Sequence, residues 1–528
     1  MSYPRSLGRP ADDRWPELAV VGGGASAVCL LDALAEAEGP TGGIKIFETS
    51  SHLWRGRPFR PDLDTVRVNI PPDGMSVRFG DSGLFQNWLS LRDRDGGPLH
   101  RDPFCGIRFV PRGMFGDYLV QSARAVLARL IEQGWRVEVI RESVRSATPD
   151  GGGLRLETGR GRRFHADHVV LCVGRGKPTD TYGLSGAPGF VAEPYPLATT
   201  LAEVDPDGEI AVIGSGLTGV DVVLGLAGRG HRGKIRMLSR SGVLPMVRQR
   251  QIGYRLEHFT PEHFRAIAAR GERITLSEVI AVMRAEFADA GEDLEATIDD
   301  VLRGEREEPV ARLRRHVAEV DSANVGLRIL QRVVPAAGPD VWPLLPEHEK
   351  NALLREHYRA LMSVCCPMPP ASAAKLLELV DADRLEIVSG MRDAKPADEG
   401  GFTLSTADTT YRADFVFNAV NVPADKIPVK AEPLITSIVD SGLGERHPRG
   451  GLHVDRASSR LTVEGTGDGR IHALGDLASG TLFFTFGLPS LVDRARDIAA
   501  DLTELTTKDG VVLSRDAWKS PIPWGEAA

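Results

Sequence analysis

Two glycine-rich turns, each entered from an apolar strand, constrain this chain more than any other feature. The strand Glu17–Val21 runs into Gly22-Gly23-Gly24-Ala25-Ser26-Ala27, and Glu209–Ile213 runs into Gly214-Ser215-Gly216-Leu217-Thr218-Gly219. A helical apolar pattern follows each turn. Strand, turn and helix together make a pyrophosphate cradle: the glycines permit the tight bend and close backbone approach, and the helix N-terminus faces the anion. One such string is weak evidence. Two in one chain imply two dinucleotides, and the usual reason to hold two is to pass a hydride between them.

The bulk properties exclude several other classes. A length of 528 residues is enough for two or three domains, and 26% charged with 42% hydrophobic residues is ordinary for a globular protein. A net charge of -8 leaves no basic surplus to displace counterions, so no nucleic-acid partner is expected. The longest apolar stretch, Leu18–Leu31, is too short and glycine-rich to span a bilayer, so no membrane association is expected either. The N-terminus has no basic region leading into an apolar core with a cleavage site. The five cysteines (Cys29, Cys105, Cys172, Cys365, Cys366) form no C-x-x-C pair and no metal-ligand spacing. A reduced, cytoplasmic setting without a metal is the expectation.

Along the chain, Met1–Trp15 reads as a loose polar tail. The first cradle is followed by the strand Ile44–Glu48, a proline-rich loop section, a helix over Met114–Glu132, a hairpin of Arg136–Ile140 with Leu154–Glu157, and the strand segment Ala166–Gly174. After the second cradle a charged, helix-rich insertion spans about 261–320. Sheet-like segments return at Leu385–Val388, Phe402–Ser405, Asp414–Val420 and Arg470–Leu474, and a helix from about Ser490 to Leu505 closes the pattern. The fold class read from this order is α/β: two Rossmann-like dinucleotide-binding domains, for FAD and NADPH, with a helical insertion. The expected division is 1–205 for the first part of the FAD domain, 206–400 for the NADPH domain and 401–528 for the closing part of the FAD domain.

The first cradle reads as the FAD site, with Gly22, Gly24, Ala25 and Ser26 at the turn. Glu48 ends the next strand, where a carboxylate accepts from both hydroxyls of an adenosine ribose and repels a 2′-phosphate. The apolar strand ending at Gly174 returns the chain to the cofactor. Asp476 at a later strand end can bond a ribityl hydroxyl, with the following helix aimed at the flavin pyrimidine edge; an ordinary helix cap is the other reading of that acid. The second cradle, with Gly214, Gly216 and Gly219, reads as the NADPH site. Its next strand ends in Ser239-Arg240 without an acid, a hydroxyl and guanidinium suited to a 2′-phosphate. Arg248 and Arg250 are further candidates for the same anion.

With those residues in view, the chain resembles the two-dinucleotide FAD/NAD(P)-binding proteins, near the flavin-dependent monooxygenases of the N-hydroxylating type. Beyond the cradles, the resemblance rests on Val66-Arg67-Val68-Asn69-Ile70-Pro71 with Met75-Ser76, Val110-Pro111-Arg112 with Gly116-Asp117-Tyr118-Leu119, Pro194-Tyr195-Pro196, Ser239-Arg240-Ser241-Gly242, and Ala473-Leu474-Gly475 with Gly480. It spans roughly 17–505. It implies that Asn69 lies at the flavin ring as the catalytic-site residue with Met75 close by, and that Arg112 steadies FAD. An asparagine fixing a loop through its amide, and an arginine in an ion pair, are the plainer readings of the same residues. The F-x-G-x-x-x-H-x-x-x-[WY] signature of Baeyer–Villiger oxygenases is absent. Cys365-Cys366 reads as buried apolar cysteines, with a strained vicinal disulfide and a flavin-facing thiol pair as the other readings.

The resemblance implies an FAD-dependent, NADPH-consuming monooxygenase that takes up O2 and hydroxylates the amine nitrogen of a small molecule, an amine or amino acid, through a C4a-hydroperoxyflavin. Two alternatives stand beside it: an NADPH-dependent flavin reductase or dehydrogenase without oxygen transfer, and a flavin-bound non-catalytic protein.

Overall fold

The computed structural model describes residues 16–506 apart from 40, 94–99, 305, 421, 423–426, 467 and 486; the expected loose tail Met1–Trp15 lies outside the described residues. Two five-stranded parallel sheets organise it. In the first, the order is Ile471–Ala473, His168–Leu171, Glu17–Val21, Gly43–Phe47, Arg136–Ile140. Strand Glu17–Val21 is apolar on both faces, as a central parallel strand must be. Leu18 and Val20 point to the layer formed by helices Ala25–Glu36, Arg112–Glu132 and Leu488–Thr506. Ala19 and Val21 point the other way, onto the antiparallel sheet Val144–Asp150, Gly153–Thr158, Arg163–Ala166 and helix Glu432–Asp440.

The expected hairpin is not formed. Arg136–Ile140 is a parallel edge strand beside Gly43–Phe47, while Leu154 pairs with Pro149. Alternating exposed and half-buried residues suit an edge strand of either kind, so periodicity alone did not identify the partner.

The second sheet runs Leu385–Val388, Ile235–Leu238, Ile210–Ile213, Phe415–Asn418, Phe190–Val191, again parallel. Phe190–Val191 and Phe415–Asn418 thus lie beyond the expected boundaries at 205/206 and 400/401, and we take the second unit to run from Phe190 to Asn418. Parallel neighbours are joined by long crossovers, so chain order does not reveal which sheet receives a strand.

Helices continue past the expected end of the insertion at 320, through Gly326–Val341 and Glu347–Cys365 to Pro370–Asp381. Pro335 and Pro339 lie inside Gly326–Val341, where proline normally argues against a helix, and they hid this element from the sequence pattern. The insertion is fastened to the first unit through Asp340, only 1% exposed, which accepts from Arg265 Nε at 3.1 Å and from Arg456. Arg494 of helix Leu488–Thr506 stands 3.7 Å from the same carboxylate. Trp342 stacks on Phe483 with centroids 4.5 Å apart.

Candidate active site between two glycine cradles

At the first turn Gly22 has φ +111°, and a Cβ there would stand 2.4 Å from the carbonyl oxygen of Cys172, so strand end and turn touch backbone to backbone. Gly24 is the N-cap of helix Ala25–Glu36 and no side chain caps it. The helix therefore presents backbone donors and the positive end of its dipole at the turn. Glu48 lies beside the turn: its Oε2 accepts from Gly23 N at 2.9 Å and its Oε1 from Ser50 N at 2.6 Å. The segment after it folds over the turn, with Trp54 N donating to Gly23 O at 2.7 Å.

The later strand ends converge on the same place. A Cβ on Gly174 would meet no protein atom within 4 Å, so that strand end faces open space. Gly475, at φ +101°, lies against Ser26, with 3.3 Å between a Cβ built there and Ser26 Oγ. This brings the neighbouring Asp476 to the first helix N-terminus. Asp476 Oδ1 accepts from Arg175 Nε at 3.1 Å. Burial pushes the Asp476 carboxyl up, and Arg175 opposes that shift. Ala25 packs against the first core, and Met75 is buried within that core at 3% exposure.

The second turn repeats the geometry. Gly214 has φ +119° with Ala419 O only 2.7 Å from a Cβ placed there, and a Cβ on Gly219 would stand 2.2 Å from Gly214 O. Gly216 caps helix Leu217–Gly228 without a side-chain bond and faces open space. Ser239 Oγ accepts from Gly242 N at 2.9 Å and lies 2.9 Å from Ser215 Oγ, so this hydroxyl closes its own loop. Arg240 is exposed, and no carboxylate among the described residues pairs with it. It is the group at this turn left for an anion.

Arg112 forms an ion pair, the plainer of its two readings. Its Nε donates to Arg67 O at 3.1 Å, its Nη1 to Tyr195 OH at 3.0 Å, and its Nη2 stands 2.7 Å from Asp221 Oδ2 on the second cradle helix. Tyr195 also donates to Asp221. Burial works against the Arg112 charge, but Asp221 and Tyr195 outweigh it and hold the guanidinium above its ordinary value. Arg112 joins the first unit, through Arg67 O, to the second cradle helix, through Asp221. Arg250 is likewise committed, to Asp321 and to Phe104 O at 2.5 Å.

Asn69 lies at a junction of segments from both units. Its Nδ2 donates to Pro367 O at 3.4 Å, and its carbonyl oxygen accepts from Arg248 Nε at 3.2 Å. Asn69 Oδ1 has no partner among the described residues. Beside Pro367, Cys366 is partly exposed and Cys365 is buried, both as free thiols. Burial pushes the Cys366 thiol up to about 11, with Arg248 and Arg175 pulling the other way, so it is neutral at pH 7. Arg175 thus connects Asp476 with the Cys366 side of the junction.

Three participants were given no role at the site by the sequence reading: Arg175, Tyr195 and Asp221. The last had a usable signal, since it is the one acid in the otherwise apolar helix Leu217–Gly228, and a buried acid demands a partner. Among the described residues no cluster of His, Cys, Asp and Glu can hold a metal, and no helix is long and apolar enough to cross a membrane.

This geometry defines a class of fold, and comparison with known proteins agrees. Residues 19–176 match a family model described as FAD-NAD(P)-binding. No curated protein matches the chain. Among solved structures it is similar to L-lysine 6-monooxygenase from Pseudomonas syringae, at 16% identity and TM-score 0.55 over 94% of this chain and 100% of that one. It is also similar to the ornithine N-hydroxylase of Kutzneria sp. 744 (14%, TM-score 0.54, 94% and 100%) and to the desferrioxamine-pathway cadaverine monooxygenase of Erwinia amylovora (14%, TM-score 0.53, 93% and 95%). The chain has the two-dinucleotide fold of these flavin monooxygenases.

Proposed function

We propose that this protein is an FAD-dependent, NADPH-consuming oxidoreductase, and specifically a monooxygenase that hydroxylates the nitrogen of a small amine. The observation that carries the reading is the pair of uncapped, glycine-lined helix N-termini, joined through Arg112 and Asp221 and followed in turn by an acid and by a base. The fold shared with three amine monooxygenases supports the finer step.

In this reading the first helix N-terminus and Gly22–Ser26 take the FAD pyrophosphate, and Glu48 orients the adenosine ribose. Asp476 accepts from the ribityl chain while Arg175 holds its carboxylate in place. FAD so held supplies a two-electron path from the nicotinamide to oxygen. Gly214–Gly219 take the second pyrophosphate, and Arg240 receives the 2′-phosphate. Asn69 offers its free Oδ1 to the groups that meet at the junction, with its amide steadied by Pro367 O.

Arg240→Ala is expected to raise KM for NADPH with little effect on NADH, by about 1.5–3 kcal/mol for a lost charged hydrogen bond. Steady-state kinetics with both nucleotides checks this, and equal effects on the two reject the phosphate role. The oxygenation step is tested by feeding amines to the holoenzyme and measuring NADPH consumed, hydroxylated amine formed and H2O2 released. Near-stoichiometric hydroxylamine is expected in the native protein. Asn69→Ala should divert most of that flux to H2O2 while FAD stays bound. Stoichiometric H2O2 and no product with any amine would favour a reductase without oxygen transfer.

A further inference from the structure

The junction holds a cation, Arg248, that the proposed chemistry has not used. Three arginines around it already have a carboxylate: Arg112 has Asp221, Arg175 has Asp476, and Arg57, on which Tyr195 and Asp476 also act, has Glu193 at 3.4 Å. Arg248 has none within ion-pair distance among the described residues. Its Nε is tied to Asn69 O at 3.2 Å and its backbone N to Met368 O at 2.9 Å, which fixes the stem. Nη1 and Nη2 have no hydrogen-bond partner among the described residues. Asp73, the carboxylate that acts on it, is exposed and does so from beyond ion-pair distance. Burial pulls the Arg248 guanidinium down to about 10, so it remains charged at neutral pH.

A half-buried guanidinium with a free two-nitrogen edge is costly unless an anion meets it. That edge matches a carboxylate, which can accept two parallel hydrogen bonds. The nucleotide phosphates already have their own donors in the proposed function, at the two helix N-termini and Arg240. Arg248 is instead anchored to Asn69 and acts on Cys366, in the same junction as Arg175.

Building on that function, we propose that Arg248 receives the carboxylate of the substrate, so that the amine acted on carries an acidic group at the end away from its reacting nitrogen. Arg248 is then the specificity-determining residue that separates amino acids from diamines.

The test compares δ-aminovalerate with cadaverine, a similar chain in which an ammonium group stands where the acid has its carboxylate. Each is titrated into the oxidised holoenzyme and followed by the flavin spectrum, in native protein, Arg248→Met and Arg248→Lys. The native protein should bind the acid about tenfold or more tighter than the diamine, the least expected of a charged hydrogen bond. Arg248→Met should erase that preference, with its effect on the acid's dissociation constant instead of on KM for NADPH, and Arg248→Lys should restore part of it. Equal or tighter binding of cadaverine overturns the inference. So does a Met variant whose loss falls on NADPH, which would assign the guanidinium to the nucleotide. Binding of neither probe to a yellow protein that NADPH still reduces also overturns it, while leaving the oxidoreductase reading intact. A protein that takes no FAD defeats that reading and this inference with it.

Discussion

Gly24→Val is expected to give a folded protein that no longer retains FAD. In the structure a Cβ at Gly24 would stand 3.2 Å from Gly56 Cα, a contact relieved by a shift of a few tenths of an ångström in the covering segment. The fold should therefore survive. The two further methyl groups of valine then have to occupy the mouth of the turn, where the uncapped donors of helix Ala25–Glu36 converge. A pyrophosphate needs that space for close backbone approach. Gly174→Ala provides a cleaner companion, because the added methyl meets no protein atom within 4 Å. Any loss of FAD from that variant reports on the ligand and not on packing. Flavin absorbance per chain after purification and reconstitution checks both, and retention of full flavin stoichiometry in both contradicts the assignment of the first cradle.

Asp221→Ala is expected to cause the largest loss of stability among single substitutions at the junction, about 3–5 kcal/mol. It leaves Arg112 buried with its charge uncompensated and removes an acceptor from the Tyr195 hydroxyl. Removing both charges should cost less: Arg112→Met with Asp221→Leu replaces the pair by apolar groups of similar size, so the double variant should regain much of the loss. Denaturant unfolding of the single and double variants measures this. A single-variant cost below about 1 kcal/mol, the range of surface ion pairs, would show that the pair is open to water. Because the network ties Arg67 O and the first unit to the second cradle helix, its loss should also slow flavin reduction by NADPH.

Much of this architecture was legible because its determinants are local. Each glycine turn, its strand and its helix lie within a short segment, and Glu48 follows at the end of the next strand, where it meets Gly23. Asp476 was legible for the same reason, as an acid immediately after an apolar strand and a glycine. What escaped depends on partners distant in sequence. Arg112 and Asp221 carry no mark of each other in their own segments, so the ion pair offered as one reading of Arg112 had no named partner. Ser239 was read as facing a phosphate, and its hydroxyl also meets Ser215 Oγ, on the preceding glycine turn, at 2.9 Å. Phe415–Asn418 was legible as a strand but not as a member of the second sheet, since only its pairing with Ile210–Ile213 decides that. Met75 reads as a flavin neighbour by order and is core by packing.

The reading rests on electrons passing as a pair from one cradle to the other. The most direct measurement is anaerobic mixing of the FAD-reconstituted protein with NADPH, followed by the absorbance of the oxidised flavin. Bleaching of the flavin by one equivalent of NADPH is the predicted result. A protein that refuses FAD, or a bound flavin that stays oxidised with NADPH in excess, would contradict it.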